Sequence, residues 1–224
     1  MFAGADCRQI LERRGITIGA HAYAVGGAKD TPFDPVNVSK EDLNALNTRF
    51  FAVNSPEAEE KMRAEIEAAR LDADSIGGII ECAAVGVPAG IGSPMFGGIE
   101  NVFASILYGI PAVKGVEFGA GFDVACMRGS ENNDAFYYDE NGLVRTKTNN
   151  AGGILGGITT GMPILFCIAV KPTPSIGREQ HTVDLTTKTN ADLTIHGRHD
   201  PCIVPRAIPV AEAAAALALM DLLR

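Results

Sequence analysis

Two short segments combine residue types that could bind a phosphorylated ligand. The first is the run Lys171, Pro172, Thr173, Pro174 and Ser175, which places a cation and two hydroxyl groups among prolines. Proline fixes φ and reduces the entropy that a loop loses when it closes on a ligand. Lysine, hydroxyl groups and amides are suitable donors to a phosphate or to the polar edge of a ring. An ordinary turn would explain the same residues, and that alternative stays open.

The second segment, residues 196–202, places Arg198 and Asp200 beside two histidines. Arginine can bind phosphate through two parallel hydrogen bonds, and a neighbouring carboxylate can orient it or accept a proton. A helix cap or a buried polar pair at His199 and Asp200 would account for this pattern equally well.

Glycine is concentrated in clusters that alternate with apolar runs, and the chain has 25 Gly and 12 Pro in 224 residues. Such clusters allow positive φ and close approach of a ligand, so they favour a site built largely from backbone. A loop-rich fold with many tight turns is the alternative. Residues 152–157 (GGILGG) are not a dinucleotide-binding fingerprint, because no strand precedes them and no acidic residue follows at the required distance.

Composition narrows the class of protein. The formal net charge is −8, which disfavours nucleic acid and anionic membranes as partners. Five cysteines occur singly, so we expect reduced, buried thiols and no metal site. No apolar run is long enough to span a membrane, and nothing resembles a signal peptide at the first residues. We therefore expect a soluble cytoplasmic protein.

Hydrophobic periodicity predicts one α+β domain with antiparallel sheet, covering residues 1–224. Ser55 and Pro56 predict the start of a helix that runs to Arg70. A hairpin is expected around the turn at 139–142, and a last helix is expected from 210 to 223, begun by Pro209. Further strands are expected at 16–25, 78–87 and 164–170, with a long extended stretch at 112–127.

Several sequence motifs along the chain together resemble those of the chorismate synthase family. They are GGIIEC (77–82), GVPAGIG (86–92), IPAVKGVEFG (110–119), NNAGGILGGI (149–158), KPTPS (171–175), GRHDPC (197–202) and RAIPV (206–210). They occur in the family's order along essentially the whole chain. The resemblance implies helices sandwiched between antiparallel β-sheets in a single domain.

The resemblance also implies a reaction and a cofactor. Family members bind reduced FMN and eliminate phosphate from 5-enolpyruvylshikimate 3-phosphate, giving chorismate by a 1,4-anti elimination. The source of reducing equivalents, NADPH among the candidates, is left open. Carried over to this chain, the resemblance makes Asp200 part of a proton relay and treats His199 as structural. The cofactor-binding residues that it implies are Pro111, Ala112, Gly156, Lys171, Pro172, Thr173, Pro174, Ser175 and Arg198, and we expect the 171–175 loop, Gly156 and Arg198 to line the largest pocket.

The chain also departs from the family pattern. The family words Gly-Glu-Ser-His-Gly, Arg-Pro-Gly-His and Arg-Ser-Ser, which belong to an N-terminal portion, do not occur in it. We therefore expect an N-terminally truncated chorismate synthase domain, inactive by itself, with three candidate cations (Lys171, Arg198 and Arg206) and no arginine cluster. The alternative is a non-catalytic remnant that keeps the fold, oligomer contacts or weak flavin binding.

The family resemblance predicts a homo-oligomer, specifically a homotetramer. Apolar surface that the expected missing portion would cover should favour association further. Light scattering at micromolar protein concentration measures this directly, and a well-behaved monomer would contradict the prediction.

Overall fold

The computed structural model describes all 224 residues. The helices are α1 (Phe2–Arg13), α2 (Lys40–Asn47), α3 (Pro56–Leu71), α4 (Ile99–Tyr108), α5 (Gly129–Asn132) and α6 (Val204–Leu222). The strands are β1 (Thr17–Val25), β2 (Ala28–Lys29), β3 (Gly78–Val85), β4 (Val113–Phe118), β5 (Phe136–Tyr138), β6 (Val144–Thr146), β7 (Ile154–Leu155), β8 (Ile158–Thr159), β9 (Ile164–Val170), β10 (Gln180–Asp184) and β11 (Thr189–Leu193). No helix is both long and apolar enough to cross a membrane.

A five-stranded antiparallel sheet, ordered β2-β1-β3-β9-β4, forms the centre of the structure. Gly78 of β3 and Val113 of β4 both pair with Val170 of β9. Because β9 runs antiparallel to both neighbours, its last residue lies beside the first residues of β3 and β4. Segments that precede β3 and β4 therefore meet the segment that follows β9 at one end of the sheet.

Helices α1, α4 and α6 form a layer on this sheet, and α6 contacts β1 and β3 as well as the other two helices. The face of α6 is rich in small side chains, with Ala211 and Ala213 to Ala216 all buried. Alanine combines high helix propensity with a small side chain, so α6 can pack closely on several sides at once. In α6, Glu212 is buried, and its carboxylate accepts hydrogen bonds from Arg8 (2.7 Å) and from the backbone N–H of Ala20 (3.0 Å).

The α+β architecture with antiparallel sheets is confirmed, and within this chain the helical layer rests on one large sheet. The helix predicted at 56–70 is confirmed as α3, with the Ser55 hydroxyl accepting from the Ala58 N–H. The hairpin predicted around 139–142 is confirmed as β5–β6. The polar stretch 177–192 contains most of the β10–β11 hairpin.

Three local predictions are wrong. The extended stretch expected to Met127 ends at Phe118, because Gly119 and Gly121 adopt positive φ (56° and 55°) and the chain turns into a 3-10 helix. The last helix begins at Val204 rather than Pro209, which lies inside it. All five cysteines, which were expected to be buried, are free, but only Cys82 and Cys202 are buried, whereas Cys7 and Cys167 are half-buried and Cys126 is exposed.

A buried charge cluster joins the sheet to the loop after β2. The His21 Nδ1 lies 3.0 Å from Asp30, and its Nε2 lies 2.7 Å from Glu81. Burial alone would lower the pKa of His21, but the hydrogen bonds and negative charges of the two carboxylates outweigh it and raise that pKa. Both ring nitrogens face carboxylate oxygens, so the protonated imidazolium is the form that satisfies this site.

We predict that His21→Gln lowers the free energy of unfolding by about 3 kcal/mol at pH 6, because it leaves two carboxylates without their cation. A folded-state pKa above the ~6.5 of an unfolded histidine makes this stabilisation fully present below ~pH 6.5. It is lost as the pH rises through the folded-state value. Urea unfolding at pH 6 and pH 9 should therefore show a smaller difference from wild type at pH 9.

His181→Gln provides the matched control, because the side chain of His181 is 91% exposed where it pairs with Asp192. Its effect should stay within ~0.5 kcal/mol. A His21→Gln difference that does not change with pH would contradict the prediction.

Candidate functional site

The proline-rich loop 171–175 follows β9 and lies at the end of the sheet where β3 and β4 begin. The Lys171 N–H donates to the Ala112 carbonyl at 2.9 Å, which continues the β4–β9 ladder by one hydrogen bond. Ala112 has a positive φ of 76°, a conformation that costs about 1 kcal/mol for a residue other than glycine. The structure thus brings Pro111 and Ala112 next to Lys171, and their sequence-predicted proximity follows from strand pairing.

Two side-chain hydrogen bonds connect this loop to the rest of the site. The Ser75 hydroxyl, just before β3, donates to the Thr173 carbonyl at 2.6 Å. The Ser175 Oγ lies 3.2 Å from Nδ1 of His199, whose Nε2 lies 3.0 Å from the Ile195 carbonyl oxygen. The 171–175 loop and the 196–202 segment, which are separated by more than 20 residues in sequence, are therefore in direct contact.

The second segment forms the wall of a cavity of about 820 Å³. Its lining residues are Arg70, Arg198, His199, Asp200, Pro201 and Arg206. The Pro201 carbonyl accepts a hydrogen bond from the Ile76 N–H at 2.8 Å, which fixes this wall to the segment before β3. Three guanidinium groups and one carboxylate give the cavity lining a positive balance, which suits an anionic ligand.

The cations of the site differ in whether they already have a partner. Arg206 forms an ion pair with Asp200, and Arg70 forms two hydrogen bonds with Glu67 at 2.6 and 2.7 Å. Lys171 and Arg198 form no ion pair in the structure. These two charges are free to bind an external anion without first breaking an internal contact.

The hydroxyl group of Thr173 is a second, independent indication that the loop binds a ligand. Its hydroxyl oxygen is buried and has no hydrogen-bond partner in the structure. A buried hydroxyl without a partner is costly, typically about 1–3 kcal/mol, so such groups are uncommon unless something else satisfies them. A polar ligand on the 171–175 loop would do so, and the loop therefore fits a cofactor that carries hydrogen-bonding groups.

Gly156 lies away from the 171–175 loop and the Arg198 segment. It is in the turn between β7 and β8, with a φ of 60°, and this hairpin lies near the start of α4, where the Ile99 N–H donates to the Gly157 carbonyl. The Gly152 carbonyl accepts from Leu165, at the start of β9. The seven residues of β9 span ~23 Å, so Gly156 and the 171–175 loop lie toward opposite ends of this strand.

The expectation that the loop, Gly156 and Arg198 line one largest pocket is therefore wrong. The 820 Å³ cavity includes Arg198, but neither Gly156 nor residues 171–175 line it. Adjacency of the loop to the Arg198 segment, by contrast, agrees with the sequence prediction through the Ser175–His199 contact.

Sequence analysis also missed the convergence of three arginines. Arg70 lies in the last turn of α3 and lines the cavity with Arg198 and Arg206. A basic residue in the last turn of a helix complements the helix dipole. That common role explains Arg70 from sequence alone, so the pattern does not indicate that it lines a cavity. Only the tertiary packing brings these residues together.

Comparisons with known proteins support the family resemblance that the sequence motifs indicate. The family model for chorismate synthase matches residues 1–223. A chorismate synthase of Lancefieldella parvula is 47% identical over 99% of this chain and 61% of its own length, and one of Methanosarcina acetivorans is 48% identical over 97% and 58%.

A solved structure, the crystal structure of a chorismate synthase, matches with a TM-score of 0.79 and 29% identity, over 99% of this chain and 61% of that one. The chain thus spans about three fifths of the length of these relatives. A family match over nearly every residue, together with relatives that share close to half of the aligned positions, identifies this chain as a member of the chorismate synthase family.

Proposed function

We propose that the protein carrying this chain is a chorismate synthase, a lyase that binds reduced FMN and converts 5-enolpyruvylshikimate 3-phosphate to chorismate and phosphate. The observation that carries the proposal is the meeting of the 171–175 loop with the Arg198–Asp200 segment. Free cations, a buried unpaired hydroxyl and a carboxylate occur there together. Family membership supports the same assignment. A cytoplasmic homotetramer is part of this proposal.

Within this chain, the loop residues Lys171 to Ser175 would hold the flavin, with Pro111 and Ala112 contributing backbone groups beside them. The Thr173 hydroxyl would gain the hydrogen bond that it lacks. The two prolines limit the conformations open to the loop, so less entropy is lost on binding. When bound, reduced FMN supplies electron density that the reaction borrows and returns without net redox change.

Gly156 stays in the proposal as a flavin contact on the ground of family resemblance alone. No heavy atom lies within 4 Å of the position that a Cβ would take there, so a ligand or another chain has room to approach. Its position near the opposite end of β9 implies that a contact from Gly156 serves either a different part of the ligand or a site shared with another copy.

Loss of phosphate requires that negative charge be stabilised as the C–O bond breaks and that a proton leave the ring. Arg198, the free guanidinium next to Asp200, would contact the flavin, and as a preorganised cation it would also stabilise charge where it develops. Asp200 would receive or relay the proton, while Arg206 holds its carboxylate in place. We place the remaining acid–base groups and most substrate-binding arginines outside residues 1–224.

We predict that Arg198→Gln in the intact protein weakens FMN binding roughly tenfold, because a charge-assisted hydrogen bond contributes about 1.5–3 kcal/mol. Quenching of FMN fluorescence measures the dissociation constant. Arg63→Gln is the matched control, since Arg63 pairs with Glu59 on the exposed face of α3. Equal affinity of Arg198→Gln and wild type would contradict the role given to Arg198.

Asp200→Asn should lower turnover by ~10²–10⁴-fold, the usual contribution of a positioned acid–base group. Anaerobic assays with reduced FMN and 5-enolpyruvylshikimate 3-phosphate would follow chorismate by its absorbance. Asp192→Asn, in the exposed β10–β11 hairpin, should leave turnover unchanged.

Residues 1–224 expressed alone are expected to show no turnover, because we place other acid–base groups and most substrate-binding arginines outside them. Activity of this chain near the level of the intact protein would contradict that placement.

A further inference from the structure

His199 lies between the two segments of the site and uses both of its ring nitrogens. Its side chain is half-buried, with Nε2 3.0 Å from the Ile195 carbonyl oxygen and Nδ1 3.2 Å from the Ser175 hydroxyl oxygen. Neither contact involves a charged partner. The residue links Ile195, just before its own segment, to the last residue of the proline-rich loop.

The hydrogen-bond roles follow from the chemistry of the partners. A carbonyl oxygen can only accept, so Nε2 must carry the hydrogen of that bond. In the neutral imidazole, Nδ1 then holds a lone pair and can only accept. In that neutral form, the Ser175 hydroxyl donates its single hydrogen to Nδ1.

This arrangement determines what Ser175 can offer to a ligand. With its hydrogen used, the hydroxyl has only lone pairs left, so it accepts hydrogen bonds and cannot donate them. Phosphate and carbonyl oxygens need donors, whereas the ring N–H and the ribityl hydroxyl groups of a flavin can donate. Thr173 differs, because its hydroxyl has no partner in the structure and is free to donate.

We infer that His199 is a positioning residue that fixes the Ser175 hydroxyl as a hydrogen-bond acceptor toward the flavin. Ser175 then binds a donor on the ring or ribityl chain, and the phosphate is left to Lys171, Arg198 and Thr173. The inference rests on the proposed function, because it takes flavin as the ligand of the loop. It gives a specific role to a histidine that the family resemblance treats as structural.

Two substitutions separate the two bonds of His199. His199→Asn keeps a side-chain oxygen near the position of Nδ1 and can still accept from Ser175. His199→Gln keeps an amide N–H near the position of Nε2 and can still donate to Ile195, but it offers no acceptor to Ser175. In FMN titrations of the intact protein, we expect ~5-fold weaker binding for His199→Gln and for Ser175→Ala, and a change within ~twofold for His199→Asn.

The double variant Ser175→Ala with His199→Gln should bind FMN as weakly as either single variant, since both remove the same interaction. Independent losses that multiply would overturn the inference. Equal affinity of His199→Gln and wild type, or an equal loss in His199→Asn, would also overturn it. If wild type binds no FMN, the proposed function fails as well, so the wild-type titration distinguishes the two failures.

Riboflavin, which lacks the phosphate, tests which part of the flavin Ser175 contacts. A loss in Ser175→Ala that persists with riboflavin supports a ring or ribityl contact, and a loss that disappears overturns the acceptor role. In the flavin-free protein, ¹⁵N spectra of labelled histidine should show the Nε2–H tautomer of His199, with Nδ1 shifting in Ser175→Ala. The Nδ1–H tautomer would overturn the inference without any ligand.

Discussion

The hydrogen bonds that hold β9 between β3 and β4 determine where the site can be. Because β9 pairs antiparallel with both β3 and β4, the end of β9 and the starts of β3 and β4 lie at one end of the sheet. Ser75, Ile76 and Ala112 each form a hydrogen bond there with the loop or with the Arg198 segment. The loop is thus held by the Ser75 hydroxyl and the Ala112 carbonyl, which lie in the segments that precede β3 and β4.

The distribution of charge explains why this end of the sheet can bind an anion in a protein of net charge −8. Overall charge acts over a screened distance of about 8–10 Å in physiological salt, so the local balance decides what binds. Two cations here have no partner, and the other two are partnered by carboxylates that lie beside them. The exposed ion pair between Arg70 and Glu67 contributes little stability, so an incoming phosphate can compete for Arg70 at small cost.

Local patterns in the sequence predicted most of the elements, because caps, prolines and alternating apolar residues act over a few residues. Ser55 with Pro56, the turn at 139–142 and the buried runs of β3 and β9 all belong to this class. The sequence predicts the start of α6 at Pro209 because proline favours the first turn of a helix, but Pro205 occupies that turn in the structure. Proline inside a helix removes one hydrogen bond but need not end the helix when the packing around it is extensive.

The site was predictable only in part, for a related reason. The two segments carry recognisable residue types, but the arginine cluster depends on α3, α6 and a loop meeting in space. The family resemblance assigns Gly156 to the flavin site, but the length of β9 places it far from the 171–175 loop. Spacing along the chain says little about distance once a seven-residue strand intervenes.

The contact between Glu212 and both Arg8 and Ala20 has a consequence for biosynthesis. These partners are separated by 204 and 192 positions, and α6 lies at the centre of the helical layer. Until the residues of α6 have left the ribosome, the surfaces of α1 and β1 that pack on α6 stay uncovered, although β1 can already contact β3 and α2. Contacts of such long sequence separation slow folding and leave early segments exposed to aggregation. The helical layer of this fold can therefore be completed only after α6 has been synthesised.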